Sequence, residues 1–173
     1  MVRIRNRLIA PFLAPMIIGS LAIQAQETGV VAPREIRLRV EGDVPRPLQL
    51  SADDLAKLPH KKVRARDADG KETEFEGVSL FELLKAAEIQ LEYDLRGPAL
   101  ASYLLVEAAD GYRAVFALPE LDPGNTDRVI ILADRREGKP LDPKEGPLRI
   151  VVPGEKRHYR WVRQVVSIKL KKS

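Results

Sequence analysis

Ile36, Leu38 and Val40 alternate with Arg37, Arg39 and Glu41, a period of two that predicts a strand. Residues 43–47 hold Pro45 and Pro47 and read as a turn. Ser51 opens a short helix, with Asp54 three residues on as its capping partner, Leu55 and Leu58 as its apolar side, and Pro59 as its stop. Ser79 and Glu82 repeat the capping pair ahead of Leu80, Leu83, Leu84 and Ala87, whose spacing is helical and ends near Glu88. Gly97-Pro98 marks residues 92–101 as a loop. Asp110-Gly111 then separates two apolar runs, 103–109 and 112–118, which predicts a hairpin. Both runs are apolar at most positions, so the expectation is two central strands buried on both faces. A turn of helix is expected at 119–122. Further strands are expected at 129–133, at Leu148, Ile150 and Val152, and at Val166, Ile168 and Leu170, with a long loop over 134–147.

Charge adds a register. Lys62, Arg64 and Arg66 share one strand face, and Glu72, Glu74 and Glu76 share the facing one. A three-residue loop at Ala68-Asp69-Gly70 sets Arg66 opposite Glu72, Arg64 opposite Glu74 and Lys62 opposite Glu76, with Val63 meeting Phe75 behind them. A two-residue loop would oppose each charge to Thr or Phe. Each cross-strand pair contributes about 0.2–1 kcal/mol, and three together select one register. Self-paired charges of this kind read as a solvated face. Strands and helices do not alternate regularly, so the fold class is α+β, a single mixed-sheet domain with two or three short helices rather than a doubly wound parallel sheet.

The first 25 residues differ from the rest. Arg3, Arg5 and Arg7 precede an apolar stretch from Leu8 to Ile23 that is broken by Pro11 and Pro15 and ends in Ile23-Gln24-Ala25. This is the pattern of a cleaved secretory signal, shorter than the roughly 20 apolar residues of a membrane span. The expected organisation is a signal peptide over 1–25, a flexible lead-in over 26–35 and one domain over 36–172. The expected location is periplasmic or secreted, with no stable membrane span after cleavage. Removing the signal lowers the net charge from +4 to +1, because three arginines and no acids leave with it. Without a basic excess, nucleic acid is excluded as a partner.

With no cysteine and two histidines among 173 residues, thiolate metal sites, iron–sulfur clusters and cysteine nucleophiles are excluded. The densest chemical candidate is Lys156-Arg157-His158-Tyr159-Arg160-Trp161-Val162-Arg163, just past the turn at Pro153-Gly154. Four permanent cations, a histidine and the only tryptophan suit an anion site with a flat apolar wall. The alternative is a core tryptophan flanked by solvated charges. Asp110, Tyr112 and Arg113 form a second candidate beside the hairpin turn. The charged run 134–139 reads as a solvated turn, and His60 has no partner nearby in sequence. No catalytic acid–base pair and no metal-ligand set stands out.

Several segments in one order carry a family resemblance. They are Phe75-Glu76-Gly77-Val78-Ser79-Leu80 with Leu83-Leu84, then Asp110-Gly111-Tyr112, Leu132-Ala133-Asp134 and Gly138-Lys139-Pro140-Leu141. Gly146-Pro147-Leu148-Arg149-Ile150-Val151-Val152-Pro153-Gly154 and Arg160-Trp161-Val162 follow. Over residues 36–172 the chain resembles the sulfite-oxidase-type molybdopterin-binding domain. The resemblance implies that mixed α+β fold and oxygen-atom chemistry at molybdenum, held by a pterin dithiolene and one protein cysteine. It places Arg160-Trp161 where the family has a Lys-Trp pair beside the pterin, and the cysteine within residues 63–67. Here that segment reads Val63-Arg64-Ala65-Arg66-Asp67.

The expectation is therefore an exported, non-catalytic relative that binds a small anionic or pterin-like ligand, or a partner chain, through Lys156, Arg157, His158, Arg160 and Trp161. Asp110, Tyr112 and Arg113 are the further cleft candidates. No resident cofactor is expected, and molybdopterin is the one the resemblance admits. The rival readings are an oxidoreductase that holds molybdopterin without a cysteine ligand and an accessory subunit of a periplasmic redox protein.

Overall fold

A computed structural model describes residues 37–89, 91 and 95–172. The expected signal segment, the lead-in and Ile36 lie outside the described residues. Ten strands, two α-helices and three 3-10 turns follow one another along the described chain. The α+β class holds, but the strands divide between two sheets.

The first sheet runs β2-β1-β10-β5-β6. Its strands are β1 (Leu38–Gly42), β2 (Leu48–Leu50), β5 (Tyr103–Ala108), β6 (Arg113–Ala117) and β10 (Val165–Lys171). Only β1 and β10 pair in parallel; the other pairs of this sheet are antiparallel. The second sheet is antiparallel and runs β3 (His60–Arg66), β4 (Glu72–Ser79), β7 (Ile131–Arg136), with β8 (Lys139–Pro140) and β9 (Arg149–Val151) both pairing with β7. Strand β2 was not expected. Three residues between a proline turn and a helix cap are too few to show a period.

The inner faces meet in one apolar core. Leu38 and Val40, Leu104 and Val106, and Ile168 and Leu170 come from the first sheet; Phe75, Val78, Leu132 and Ile150 come from the second. Helix α2 (Leu80–Ala86) adds Leu80, Leu83 and Leu84, all within 1% of full burial. Ser79 caps it by accepting from the Glu82 N–H at 3.2 Å. Helix α1 (Ala52–Lys57) carries the full reciprocal box between Ser51 and Asp54. Among the described residues no helix is long and apolar enough to cross a membrane.

The β3–β4 hairpin has the register that its charges favour. Arg66 faces Glu72, Arg64 faces Glu74, Lys62 faces Glu76 and Val63 faces Phe75. Gly70 turns the loop at φ +80°. One detail differs: Lys62 Nζ reaches diagonally to Glu74 at 2.8 Å rather than straight across to Glu76.

The β5–β6 hairpin corrects the sequence expectation. Its burial alternates, and β6 closes the sheet as an edge strand with Val115 exposed. Apolar outward positions such as Leu105 and Val115 disguised a one-sided strand as a two-sided one. The run 134–139 is also not simply a solvated turn. Strand β7 continues through it to Arg136, and only Glu137-Gly138 turn, both at positive φ.

Candidate functional site

The connection from β9 to β10 carries the chain from one sheet to the other, and the candidate loop lies on it. Pro153-Gly154 ends the β9 run, His158–Arg160 makes one 3-10 turn, and the chain returns as β10. Backbone bonds hold the return, among them Ile150 N–H to the Val162 carbonyl at 2.8 Å and Ala109 N–H to the Gln164 carbonyl at 3.0 Å.

On one side of this loop, facing the β3–β4 turn, is a cleft of about 660 Å³. Arg64, Ala65, Arg66, Asp67 and Glu72 form the hairpin wall, and Glu155, Lys156, Arg157, His158 and Trp161 form the loop wall. His158 Nε2 lies 2.9 Å from the Arg66 carbonyl oxygen and joins the two walls. On the other side is a hollow of about 260 Å³, lined by Ala108, Asp110, Tyr112, Arg149, His158, Trp161 and Arg163. His158 and Trp161 border both spaces.

The charges of the cleft are unevenly matched. Glu72 pairs with Arg66 at 3.6 Å, Arg64 with Glu74 at 4.0 Å, Glu155 with Arg160, and Asp67 with Arg149 and Arg136. Among the described residues, Lys156 and Arg157 are the cleft charges with no ion-pair partner. Both are exposed. Their charge is available to an anion without breaking a pair first.

Trp161 is the apolar wall. It is buried, packs edge-on to Phe75 at 5.8 Å and to His158 at 4.3 Å, and has the Arg149 guanidinium 5.0 Å from its ring centre. Its Nε1–H is buried without a hydrogen-bond partner. A buried donor left unpaired is uncommon in a folded protein and calls for an explanation such as an absent acceptor.

The structure thus brings together Lys156, Arg157, His158 and Trp161, and sets Asp110 and Tyr112 behind them. Asp110 first serves its turn by accepting from the Tyr112 N–H at 2.9 Å, and the Tyr112 hydroxyl donates to the Tyr159 carbonyl at 2.6 Å. Two expected residues lie elsewhere. Arg113 heads β6 at the surface and pairs with Glu107 at 3.9 Å. Arg160 lines neither space. Its guanidinium is gripped by Glu120 at 2.7 and 3.1 Å and by Glu155, and lies 4.8 Å over the Phe116 ring. Burial would lower the Arg160 pKa, but the two carboxylates outweigh it and hold it above its usual value.

The sequence reading missed Arg149. It sits in a run of apolar residues, where a strand period points it outward, yet it is 1% exposed. Its fork donates to Asp67 at 2.9 Å and to Glu145 at 2.7 Å, and its Nε lacks a partner. The available signal was a single charge inside the uninterrupted run Leu148-Arg149-Ile150-Val151-Val152. His60, which lacked a neighbour in sequence, lies 3.4 Å from Asp134 Oδ2.

These walls offer an anion two unpaired cations beside an apolar aromatic wall. That donor set fits the phosphate end of a molybdopterin, with the aromatic wall suited to its pterin ring. It does not fit a molybdenum ligated by protein thiolate, because the chain has no cysteine. Among the described residues no group of three or more His, Asp or Glu converges as a metal-ligand set either.

The comparisons agree with the fold. The model of the oxidoreductase molybdopterin binding domain matches residues 25–173. Among solved structures the chain is similar to the sulfane dehydrogenase SoxCD from Paracoccus pantotrophus, with a TM-score of 0.62 and 23% identity over 79% of this chain. This chain covers 38% of that one. No curated protein matches.

Proposed function

Because the chain belongs to the oxidoreductase molybdopterin binding domain family, we propose that it is an exported member that binds an anionic, pterin-like ligand between the β3–β4 turn and the 154–161 loop, without catalysing the family's metal chemistry. The observation that carries this reading is the pair of unmatched cations, Lys156 and Arg157, in a cleft whose other charges are ion-paired. Trp161 supplies the flat apolar wall. Where a molybdopterin is bound, its dithiolene sulfurs supply metal ligands of their own. This chain's residues would hold the anionic part and orient the ring system, and segment 63–67 has no thiolate to add. The expectation of no resident cofactor is not supported by the family match, so the pterin is kept as the leading ligand class.

The test begins with the protein purified from its native source. Molybdenum is measured by elemental mass spectrometry, and pterin by fluorescence after oxidation. Near-stoichiometric molybdenum would replace this reading with a molybdopterin oxidoreductase that lacks a cysteine ligand. On metal-free protein, calorimetry with pterin-6-carboxylate is expected to show binding. Lys156→Ala and Arg157→Ala should each weaken it by about tenfold, the scale of one charge-assisted hydrogen bond. Parent-like affinity in both variants would remove the cleft from the argument.

A further inference from the structure

The segment where the family resemblance places a metal-ligating cysteine ends here in Asp67. A carboxylate there looks at first like a substitute ligand. Its surroundings say otherwise. Asp67 is 5% exposed, and both of its oxygens are engaged. Oδ1 accepts from Arg149 Nη2 at 2.9 Å and from the Ala68 N–H at 2.8 Å, and Oδ2 lies 3.1 Å from Arg136 Nη2. Ligating a metal would mean breaking a buried ion pair and leaving Arg149 with Glu145 alone.

The other end of that pair is the useful one. Glu145 and Asp67 hold the Arg149 fork by its two terminal nitrogens. With its edge fixed, the guanidinium carbon sits 5.0 Å from the Trp161 ring centre and 5.5 Å from that of Phe75. Cation–π contacts of this kind gain strength when desolvated. The Trp161 side chain makes no hydrogen bond, so packing sets its ring.

We infer that Asp67 and Arg149 are the positioning residues of this cleft: Asp67 turns inward and fixes the guanidinium against which Trp161 packs, so the segment that would serve a metal serves to shape an anion site. The inference rests on the reading of the cleft as a pterin-like anion site.

Trp161 is the only tryptophan, so its emission reports on this position alone. In the full chain, Asp67→Asn keeps the shape of the side chain and removes its charge. Expected are a shift of Trp161 emission in the ligand-free protein and about a tenfold loss of pterin-6-carboxylate affinity, the scale of one charge-assisted contact. Asp67→Glu should restore part of both. Parent-like emission and affinity in Asp67→Asn would overturn the inference. So would a gain in affinity, which would mean that Asp67 merely masks Arg149 from the ligand. If Asp67→Asn does not fold, Glu145→Gln loosens the other end of the fork from a less buried position, and the same shift is expected. Absence of the shift there would overturn the inference equally. If the parent fails to bind pterin-6-carboxylate, the functional reading falls, while the emission of the ligand-free variants still decides the positioning role.

Discussion

Arg149 brings a permanent charge into a place where 1% of its side chain meets solvent. Such a charge is tolerated only when paired, and removing one partner of a buried pair typically costs about 3–5 kcal/mol. Arg149→Ala should therefore destabilise the domain by about that much in urea titrations, since Asp67 and Glu145 would lose their buried partner and keep only the more exposed Arg136. Asp67 sets a pH dependence as well. Burial pushes its carboxyl up, but the hydrogen bonds from Arg149 and the Ala68 N–H, with the charges of Arg149 and Arg136, prevail and hold it below the usual range. The unfolded chain then binds the proton more readily than the folded one. This contribution is present above the ordinary aspartate value of about 3.9 and is lost as pH falls toward the lower folded value. The urea midpoint of the parent should fall on acidification more steeply than that of Asp67→Asn; equal slopes would mean that the pair does not titrate with folding. None of this was legible in the sequence. The two residues are 82 positions apart, and an arginine in an apolar strand reads by default as facing water.

Elements whose partners are neighbours in sequence were the readable part. Both helices were marked by their caps, and the β3–β4 register followed from three opposed charges because a tight turn leaves few alternatives. Gly77 shows the limit of that reading. It was recognised as part of a motif, while its reason lies on another strand. A Cβ there would overlap the Leu132 carbonyl oxygen of β7, at the irregularity between Glu76 and Gly77. Gly77→Ala should push β4 from β7 and cost about 1–3 kcal/mol, as overpacking does, measured by chemical denaturation. Arg160 reads differently once β6 is known to be an edge. Arg160 Nη1 donates to the Val115 carbonyl at 3.3 Å, and Glu120 accepts from the Ala117 N–H at 2.9 Å. The ion pair thus covers outward-facing backbone groups of an exposed strand, a common way to keep an edge from pairing with another chain. Arg160→Ala should leave pterin-6-carboxylate affinity unchanged and increase self-association in sedimentation velocity. Weakened binding without association would return Arg160 to the site.

At the scale of the molecule, the site exists because one connection crosses between two sheets and meets a hairpin turn from each: β3–β4 in front and β5–β6 behind. The sequence displayed the crossing loop as a run of charges but not the walls it would meet. Of the five residues first chosen there, four converge and Arg160 does not. The export proposal belongs to this scale too, and N-terminal sequencing of the native protein checks it: a start at Gln26 is expected, and an intact Met1 would refute cleavage. Strand β10 carries a separate consequence. It lies between β1 and β5 and is the strand that joins the two halves of its sheet. On the ribosome it emerges after every other described strand, so until then β1–β2 and β5–β6 are isolated hairpins with no common partner. Pairings that distant in sequence close slowly. The domain therefore stays unfinished until that strand is released. A chain cut after residue 164 would keep both hairpins and lose the strand that makes them one sheet.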